Sequence, residues 1–172
     1  VVGLSFLGPA GLLADESFPL DPGAVVFGVP EAGLVDGRLA DQIRGLHGHR
    51  WPLPLILGAG YGLLVSCYGS WTPDDLAHWR GRGVWPLLDL DRADRPPGAI
   101  SLWAWAFRRL VDLVGLLPEL ASGRIAIAGH SRLGKAALWA AAGDPRISAV
   151  LANNAGCFGT SLSRRRFGET PK

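Results

Sequence analysis

The chain has 172 residues, of which 48% are hydrophobic and 19% are charged, and its formal net charge at pH 7 is +2. This length suits a single domain, and the composition excludes a disordered chain because it supplies enough apolar residues for a core. The net charge is too small to indicate a nucleic-acid partner. No apolar run reaches the roughly 20 residues that a membrane-spanning helix needs, so we expect no membrane partner either.

The chain contains four apolar runs that predict β-strands, over residues 1–7, 62–68, 124–129 and 149–153. Their apolar character is continuous rather than alternating, which is typical of a parallel sheet covered on both faces. Helical patterns lie between these runs, over residues 53–57, 99–117 and 131–142. Strands that alternate with helices predict an α/β fold with a mostly parallel central sheet. No repeat or change of composition divides the chain, so we expect a single domain over residues 1–172.

The most informative motif is the heptad GHSRLGK at residues 129–135, which lies between the third apolar run and an alanine-rich helical pattern. A serine between a buried strand and a helix is typical of the nucleophile elbow of α/β-hydrolases. Glycine beside such a serine avoids a clash within the tight turn. The motif departs from G-x-S-x-G because Leu133 stands where the second glycine is expected and Gly134 follows it. The pattern favours Ser131 as a nucleophile, and the alternative is a serine that only caps the helix.

Two basic residues follow Ser131 on the predicted helix. Arg132 would lie on the first helical turn, where the helix dipole disfavours a cation that has no specific role. Lys135 lies four residues after Ser131 and therefore on the same helix face, and it is one of two lysines in the chain. The alternative for both is a solvated surface residue. His130 would point to the opposite face from its strand neighbours, so we expect it to pack within the elbow rather than to act as a base.

The positions of the cysteines and histidines indicate neither a metal site nor a bound cofactor. Cys67 and Cys157 lie in or beside apolar runs, so buried thiols are expected in preference to a disulfide. His47 and His49 lack a second pair of ligands, and we expect them on a surface turn. The tryptophans in the helical patterns are expected to pack in the core: Trp103, Trp105 and Trp139.

Four stretches of the chain together carry a resemblance to a known family. They read RWPLPLILGAGYGLLVSCYG, AISLWAWAFRRLVD, RIAIAGHSRLGKAALWAAAGDPRISAVLANNAG and SLSRRRFGET. With these stretches the chain resembles bacterial glucuronoyl esterases of carbohydrate esterase family 15, and the elbow heptad and FGET are the most specific parts. The resemblance implies the α/β-hydrolase fold, a three-layer sandwich around a mostly parallel central sheet. It also implies that residues 1–172 form the N-terminal and central part of that domain, with the C-terminal part missing.

The resemblance implies a serine carboxylic ester hydrolase that needs no metal or other cofactor. The implied activity is that of a 4-O-methyl-glucuronoyl methylesterase, which cleaves lignin–carbohydrate esters of glucuronoxylan. In such an enzyme Ser131 attacks the ester carbonyl and Arg132 stabilises the oxyanion. Lys135 and Glu169 would contact sugar hydroxyls, and the alternative for Glu169 is a surface acid paired with the neighbouring arginines. A substrate in the plant cell wall implies a secreted or periplasmic protein.

Two alternatives remain open. The first is an acetyl xylan esterase or general carboxylesterase on the same scaffold. The second is a catalytically incompetent, truncated homologue, because no histidine follows Ser131 to act as its base. The acid is missing as well, since Asn154 stands where some members of the family carry the triad glutamate.

Overall fold

The computed structural model describes residues 1–75, 77, 79–90, 94–120, 123–162 and 164, which form a four-stranded sheet with helices packed on it. The strands β1, β2, β3 and β4 comprise Val2–Ser5, Leu64–Cys67, Ile125–His130 and Ile147–Asn153. The helices α1, α2, α3 and α4 comprise Leu53–Gly58, Tyr68–Trp71, Ala99–Val114 and Arg132–Ala142. Short 3-10 turns comprise Pro9–Gly11, Pro30–Ala32, Asp41–Ile43, Gly48–Arg50 and Pro86–Leu88. All four strands predicted from the apolar runs are confirmed, and the single-turn helix α2 was not predicted.

The four strands are parallel and lie in the order β2-β1-β3-β4. The chain passes from β1 to β2 on one side and then crosses back to β3 on the other side of β1. The direction of winding therefore reverses between β1 and β3, which makes this boundary a topological switch point. In open α/β sheets the ligand crevice lies outside the carboxyl ends of the strands at such a point. Residues that follow β1 and β3 are consequently well placed to form a site.

Each of the two long helices, α3 and α4, ends directly before a glycine. α3 ends at Val114 rather than at residue 117, because Gly115 follows and its N–H bonds back to the carbonyl oxygens of Val111 and Asp112. α4 begins directly after Ser131 and ends at Ala142, before Gly143 and the Asp-Pro pair that the sequence marks as a stop. The α/β-hydrolase order of strand, turn and helix is therefore present around the GHSRLGK heptad.

The hydrophobic core lies between one face of the sheet and the helices α3 and α4. Trp103 and Phe107 of α3 are fully buried there and belong to one cluster with Val2 and Leu4 of β1. Burial of each such side chain contributes about 1.5–3 kcal/mol to stability. The indole Nε1 of Trp103 donates a 2.9 Å hydrogen bond to the carbonyl oxygen of Thr72, so its buried polar atom is satisfied.

The prediction for the helical tryptophans is confirmed only in part. Trp103 is fully buried, and Trp105 is half-buried with its ring centroid 5.8 Å from that of Trp71. Trp139 is 61% exposed, so the prediction is wrong there. α4 packs through a side made of small residues and leucine, and Trp139 lies on the opposite side of the helix. Helical spacing alone did not distinguish these two sides.

The second face of the sheet is covered at β1 and open at β4. Trp51 packs against Gly3 so closely that a Cβ at Gly3 would overlap the Trp51 ring. On β4 the residues of this face are exposed, and Leu151 has 56% of its surface in solvent. The expectation of a sheet covered on both faces is therefore confirmed for β1. It is wrong for β4, on which no element of the described part of the chain packs from this side.

The two neighbouring histidines have different environments. His49 is exposed, whereas His47 is only 2% exposed because its backbone N–H bonds to the carbonyl oxygen of Gly11 and draws the turn inward. The Nε2 atom of His47 lies 3.2 Å from Oε1 of Glu31, and burial lowers the pKa of this imidazole. The prediction of a surface turn is wrong for His47, because packing between distant segments leaves no trace in the local pattern.

Candidate active site

Ser131 is the single residue of the turn between β3 and α4. Its backbone has φ 55° and ψ −126°, a conformation that residues with a side chain rarely adopt. Such strain costs on the order of 1–3 kcal/mol and persists only where the surroundings hold it. Here the Ser131 N–H donates a 2.9 Å bond to the carbonyl oxygen of Asn153, and the Ser131 carbonyl accepts one of 2.9 Å from Gly134. The turn is thereby fixed to both β4 and α4.

Two glycines allow the turn to close, and they do so in different ways. A Cβ at Gly129 would overlap the carbonyl oxygen of Leu133, so the strand and the first turn of α4 require glycine there. A Cβ at Gly134 would lie 3.1 Å from the Gly129 oxygen and 3.2 Å from the Cβ of Ala155. Leu133, at the position where G-x-S-x-G has its second glycine, is fully buried. The displaced glycine therefore serves the close approach of α4 to the ends of β3 and β4.

The turn lies beside the topological switch point. Ser131 follows β3, and Phe6 follows the adjacent strand β1. The Phe6 ring meets the His130 ring edge-on, with centroids 6.4 Å apart, and the Tyr68 ring with centroids 5.4 Å apart. The carboxyl ends of β1, β2 and β3 thus converge around one aromatic ring next to the serine.

The Arg132 side chain is enclosed by residues from three other segments. Its guanidinium forms an ion pair with the carboxylate of Asp74, and its Cζ lies 5.5 Å from the centroid of the Phe6 ring. A Cβ at Gly28 would lie 2.8 Å from Nη2 and would displace the guanidinium, and the φ of 75° at Gly28 also favours glycine there. The Nε atom is buried and has no hydrogen-bond acceptor among the described residues. Asp74 also supplies the negative charge that makes a cation acceptable at the start of a helix.

Phe6, Gly28, Tyr68 and Asp74 were missed by the sequence analysis, because no motif links them to Ser131. Tyr68 fixes the segment next to Arg132, since its hydroxyl donates to the Phe27 carbonyl at 3.1 Å and accepts from the Phe27 N–H at 2.9 Å. Burial raises the pKa of Tyr68 to about 12, so the hydroxyl keeps its proton at neutral pH. The only signal that could have pointed to Asp74 was its acidic character shortly after the second apolar run.

Of the two predicted substrate-binding residues, only Lys135 lies in the part of the chain that the structure describes. Lys135 lies one helical turn after Ser131, is half-buried, and its backbone N–H lies 3.2 Å from the Ser131 carbonyl oxygen. The structure therefore brings Ser131, Arg132 and Lys135 together on the first turns of α4. Glu169 lies outside the described residues, and its predicted contact with sugar stays a prediction.

His130 is exposed, and the expectation that it packs within the elbow is wrong. It is the last residue of β3 and points to the second face of the sheet, where the neighbouring Asn153 of β4 is also exposed. The side-chain amide Nδ2 of Asn153 lies 3.1 Å from Nδ1 of His130. Asn154, the residue after Asn153, has φ 47°, and its side-chain amide carries no negative charge.

Among the residues that the structure describes, the remaining reactive groups do not form a second centre near Ser131. Both cysteines are free thiols, and Cys67 is buried while Cys157 is half-buried. Burial raises the pKa of Cys67 to about 11, which keeps it in the unreactive thiol form. Within the described ranges, no three His, Cys, Asp or Glu side chains come together as metal ligands. The described helices include none that is long and apolar enough to cross a membrane.

A family model described as "Glucuronyl esterase, fungi" matches residues 70–169, which is more than half of the chain. The chain belongs to the glucuronyl esterase family. The matched region contains the ion-pair partner Asp74, the strained Ser131 and the first turn of α4. Asp74, Ser131 and Arg132 therefore lie in the part of the chain that shows its membership of the glucuronyl esterases, whereas Phe6, Gly28 and Tyr68 precede it.

Individual relatives are consistent with this assignment. The carbohydrate esterase MZ0003 from an unknown prokaryotic organism is 32% identical over 142 residues, which are 80% of this chain and 32% of that protein. The 4-O-methyl-glucuronoyl methylesterase of Hypocrea jecorina (strain QM6a) is 31% identical over 122 residues, which are 66% of this chain and 26% of that protein. This chain therefore spans about a third or less of the length of the curated relatives.

A solved structure of a glucuronoyl esterase from Solibacter usitatus superposes on this chain with a TM-score of 0.82 at 33% sequence identity. The superposition covers 98% of this chain and 42% of the other. The similarity confirms the predicted α/β fold with its mostly parallel sheet and shows that it is the fold of a portion of that esterase.

Proposed function

We propose that this chain carries the nucleophile of a serine carboxylic ester hydrolase that acts on glucuronoyl esters of xylan. The observation that carries the proposal is Ser131 itself, held in a strained turn at the switch point with Arg132 beside it. Strained backbone of this kind clusters at functional sites, because it exposes a side chain that a regular strand or helix would not. A helix-capping role alone is less well supported, since the Ser131 side chain makes no capping hydrogen bond.

In the proposed reaction the Ser131 hydroxyl oxygen attacks the ester carbonyl and a tetrahedral intermediate forms. The backbone N–H of Arg132 follows the nucleophile, the position from which α/β-hydrolases donate to the oxyanion. The guanidinium of Arg132 adds positive charge at the same place, and its buried Nε without an acceptor among the described residues supports this role. Lys135 and Glu169 are proposed to bind the hydroxyls of the sugar acid.

The reaction also needs a base that accepts the Ser131 proton and an acid that orients the base. No histidine follows Ser131 in this sequence, and the Nδ1 of His130 is engaged by Asn153. The proposal therefore requires a base supplied from outside these 172 residues. It also implies export of the protein to a secreted or periplasmic location, because its polymeric substrate lies in the plant cell wall.

The proposal is tested with the protein encoded by the complete reading frame that contains these 172 residues. We expect it to hydrolyse benzyl glucuronate, and we expect Ser131→Ala to lower kcat by about 10⁴-fold or more, as for other serine nucleophiles. The matched control is Ser101→Ala, which removes a hydroxyl from α3 far along the chain. Hydrolysis that survives Ser131→Ala would exclude Ser131 as the nucleophile.

A second candidate function is an acetyl xylan esterase or general carboxylesterase on the same scaffold, and the relative MZ0003 is described as a carbohydrate esterase. The two candidates differ in the acid part of the ester. An aryl acetate lacks the sugar hydroxyls that Lys135 and Glu169 are proposed to bind. If the protein cleaves the aryl acetate and leaves benzyl glucuronate intact, the glucuronoyl assignment is wrong and the second candidate stands.

A further inference from the structure

We propose that Asp74 is a positioning residue that tunes Arg132 so that the site prefers the neutral ester to the carboxylate product. The inference rests on the proposed function, because it concerns the acid that ester hydrolysis releases beside Ser131. Asp74 lies three residues after α2, in a segment that carries no motif. It is distant from Arg132 in the sequence, and folding brings the two side chains into contact.

The ion pair between Arg132 and Asp74 is partly enclosed by other residues. The side chains of Arg132 and Asp74 are 34% and 28% exposed, so solvent screens their attraction less than it would on an open surface. The Phe6 ring covers one side of the guanidinium, and the backbone of Gly28 approaches another. Asp74 therefore fixes the guanidinium in one place instead of leaving it to several rotamers.

The substrate ester and the product acid differ in charge. An ester has no net charge at its carbonyl, whereas the hydrolysis product is a carboxylate at neutral pH. A guanidinium without a partner binds a carboxylate strongly, because it offers parallel charge-assisted hydrogen bonds. A guanidinium already paired with Asp74 offers less net positive charge, so the product is held less firmly. The neutral ester carries no net charge, so it gains less than the carboxylate from an unpaired guanidinium and loses less when Asp74 is present.

Asp74 therefore sets the preference for ester over carboxylate through its effect on Arg132. Asp74 touches no reacting atom, and it acts by offsetting the charge of Arg132. Its removal should tighten the binding of the product acid while leaving the binding of uncharged ligands nearly the same. A purely structural role would weaken the binding of both.

The test compares Asp74→Asn with the unaltered protein of the complete reading frame at pH 7. Two competitive inhibitors of benzyl glucuronate hydrolysis are used, glucuronate and its uncharged counterpart glucuronamide. We expect the inhibition constant for glucuronate to fall about tenfold, the change that 1.4 kcal/mol produces. The constant for glucuronamide and the KM for the ester should stay within about twofold. Asp74→Glu keeps the charge and should restore the original constant for glucuronate.

The matched control is Asp41→Asn, which removes the carboxylate from another Asp–Arg pair, 2.8 Å from Nε of Arg44. It should leave both inhibition constants unchanged. An unchanged or raised constant for glucuronate in Asp74→Asn would overturn the inference, while activity of the unaltered protein on benzyl glucuronate would still support the proposed function. If the unaltered protein cleaves no glucuronoyl ester, the proposed function fails and this inference fails with it.

The thermal unfolding of each variant is measured alongside the inhibition constants. If Asp74→Asn does not fold, Asp74→Ser provides the same loss of charge with a smaller side chain. If neither folds, Asp74 is a structural residue and the inference is wrong.

Discussion

The Ser131 turn depends on backbone space at Gly129. The carbonyl oxygen of Leu133 occupies the position that a Cβ at Gly129 would take, and this oxygen belongs to the rigid first turn of α4. A side chain at Gly129 must therefore displace the helix that carries Arg132 and Lys135. The geometry of the proposed site and the stability of the fold are coupled at this one glycine.

We expect Gly129→Ala to destabilise the protein by about 1–3 kcal/mol or more, as overpacking of a close contact does. It should also lower kcat for benzyl glucuronate, because Ser131 and Arg132 move with the helix. Urea unfolding and steady-state kinetics measure the two effects. Gly58→Ala is the control, since a Cβ there meets nothing within 4 Å and alanine is favoured in the helix α1. Equal stability of the two variants would contradict the explanation.

At the scale of elements, the segment next to Arg132 is held by contacts from several parts of the chain. The hydroxyl of Tyr68, at the start of α2, fixes Phe27, and Val26 bonds to the carbonyl oxygen of Gly37. Glu31, in the turn Pro30–Ala32, lies 3.2 Å from the buried Nε2 of His47 and 3.0 Å from Nη2 of Arg50. The position of Gly28 against the guanidinium thus depends on short turns far apart in sequence.

The burial of His47 makes the stability of these turns depend on pH. Burial lowers the pKa of His47 in the folded state from its ordinary value of 6.5, so the unfolded state binds the proton first as the pH falls. The contribution of neutral His47 to the free energy of unfolding is complete above about pH 6.5. It is lost as the pH falls through the folded-state pKa of His47. We expect the midpoint of urea unfolding to decrease between pH 7 and pH 5, and His47→Gln to reduce that decrease.

His49→Gln is the matched control for this titration, because His49 is exposed and only two residues away. It should retain most of the pH dependence of the urea midpoint, because burial, the main cause of the lowered pKa of His47, does not depend on His49. A slope that is the same in all three proteins would show that His47 does not titrate with unfolding.

At the scale of the whole molecule, the described part of the chain has one well-covered face of the sheet and one that is open at β4. Leu151 is 56% exposed there, on the edge strand of a parallel sheet. An edge strand with apolar side chains in solvent pairs readily with other chains. We therefore expect the 172-residue chain, when it is prepared alone, to self-associate through β4.

We expect Leu151→Lys to reduce the self-association of the 172-residue chain, because an edge lysine disfavours pairing and the residue is already in solvent. Its free energy of unfolding should change by less than about 0.5 kcal/mol. Light scattering over a concentration series measures the first effect. Leu116→Lys is the control, since Leu116 is 77% exposed but lies after α3. A similar effect of both substitutions would indicate general hydrophobicity rather than the β4 edge.

The sequence predicts those structural features that are determined by residues close together along the chain. The four strands follow from apolar runs, and the turn at Ser131 follows from Gly129 and the alanine-rich helix, because both are set by local sterics. The sequence did not predict the partners of Arg132, since Phe6, Gly28 and Asp74 come from three separate segments. It also misplaced His47 and Trp139, because a local pattern does not tell which side of an element meets the core.

The enclosure of Arg132 has a consequence for exchanging parts between related enzymes. Residues 6, 28, 74 and 132 meet at one guanidinium, although more than a hundred positions separate the first from the last. Residues in contact contribute non-additively to the free energy of unfolding, so the contribution of each one depends on the identity of the others. A chimera with a crossover between any two of these positions combines partners that were selected in different proteins. Crossovers after α4 keep the whole set from one parent and are the better choice for recombining this family.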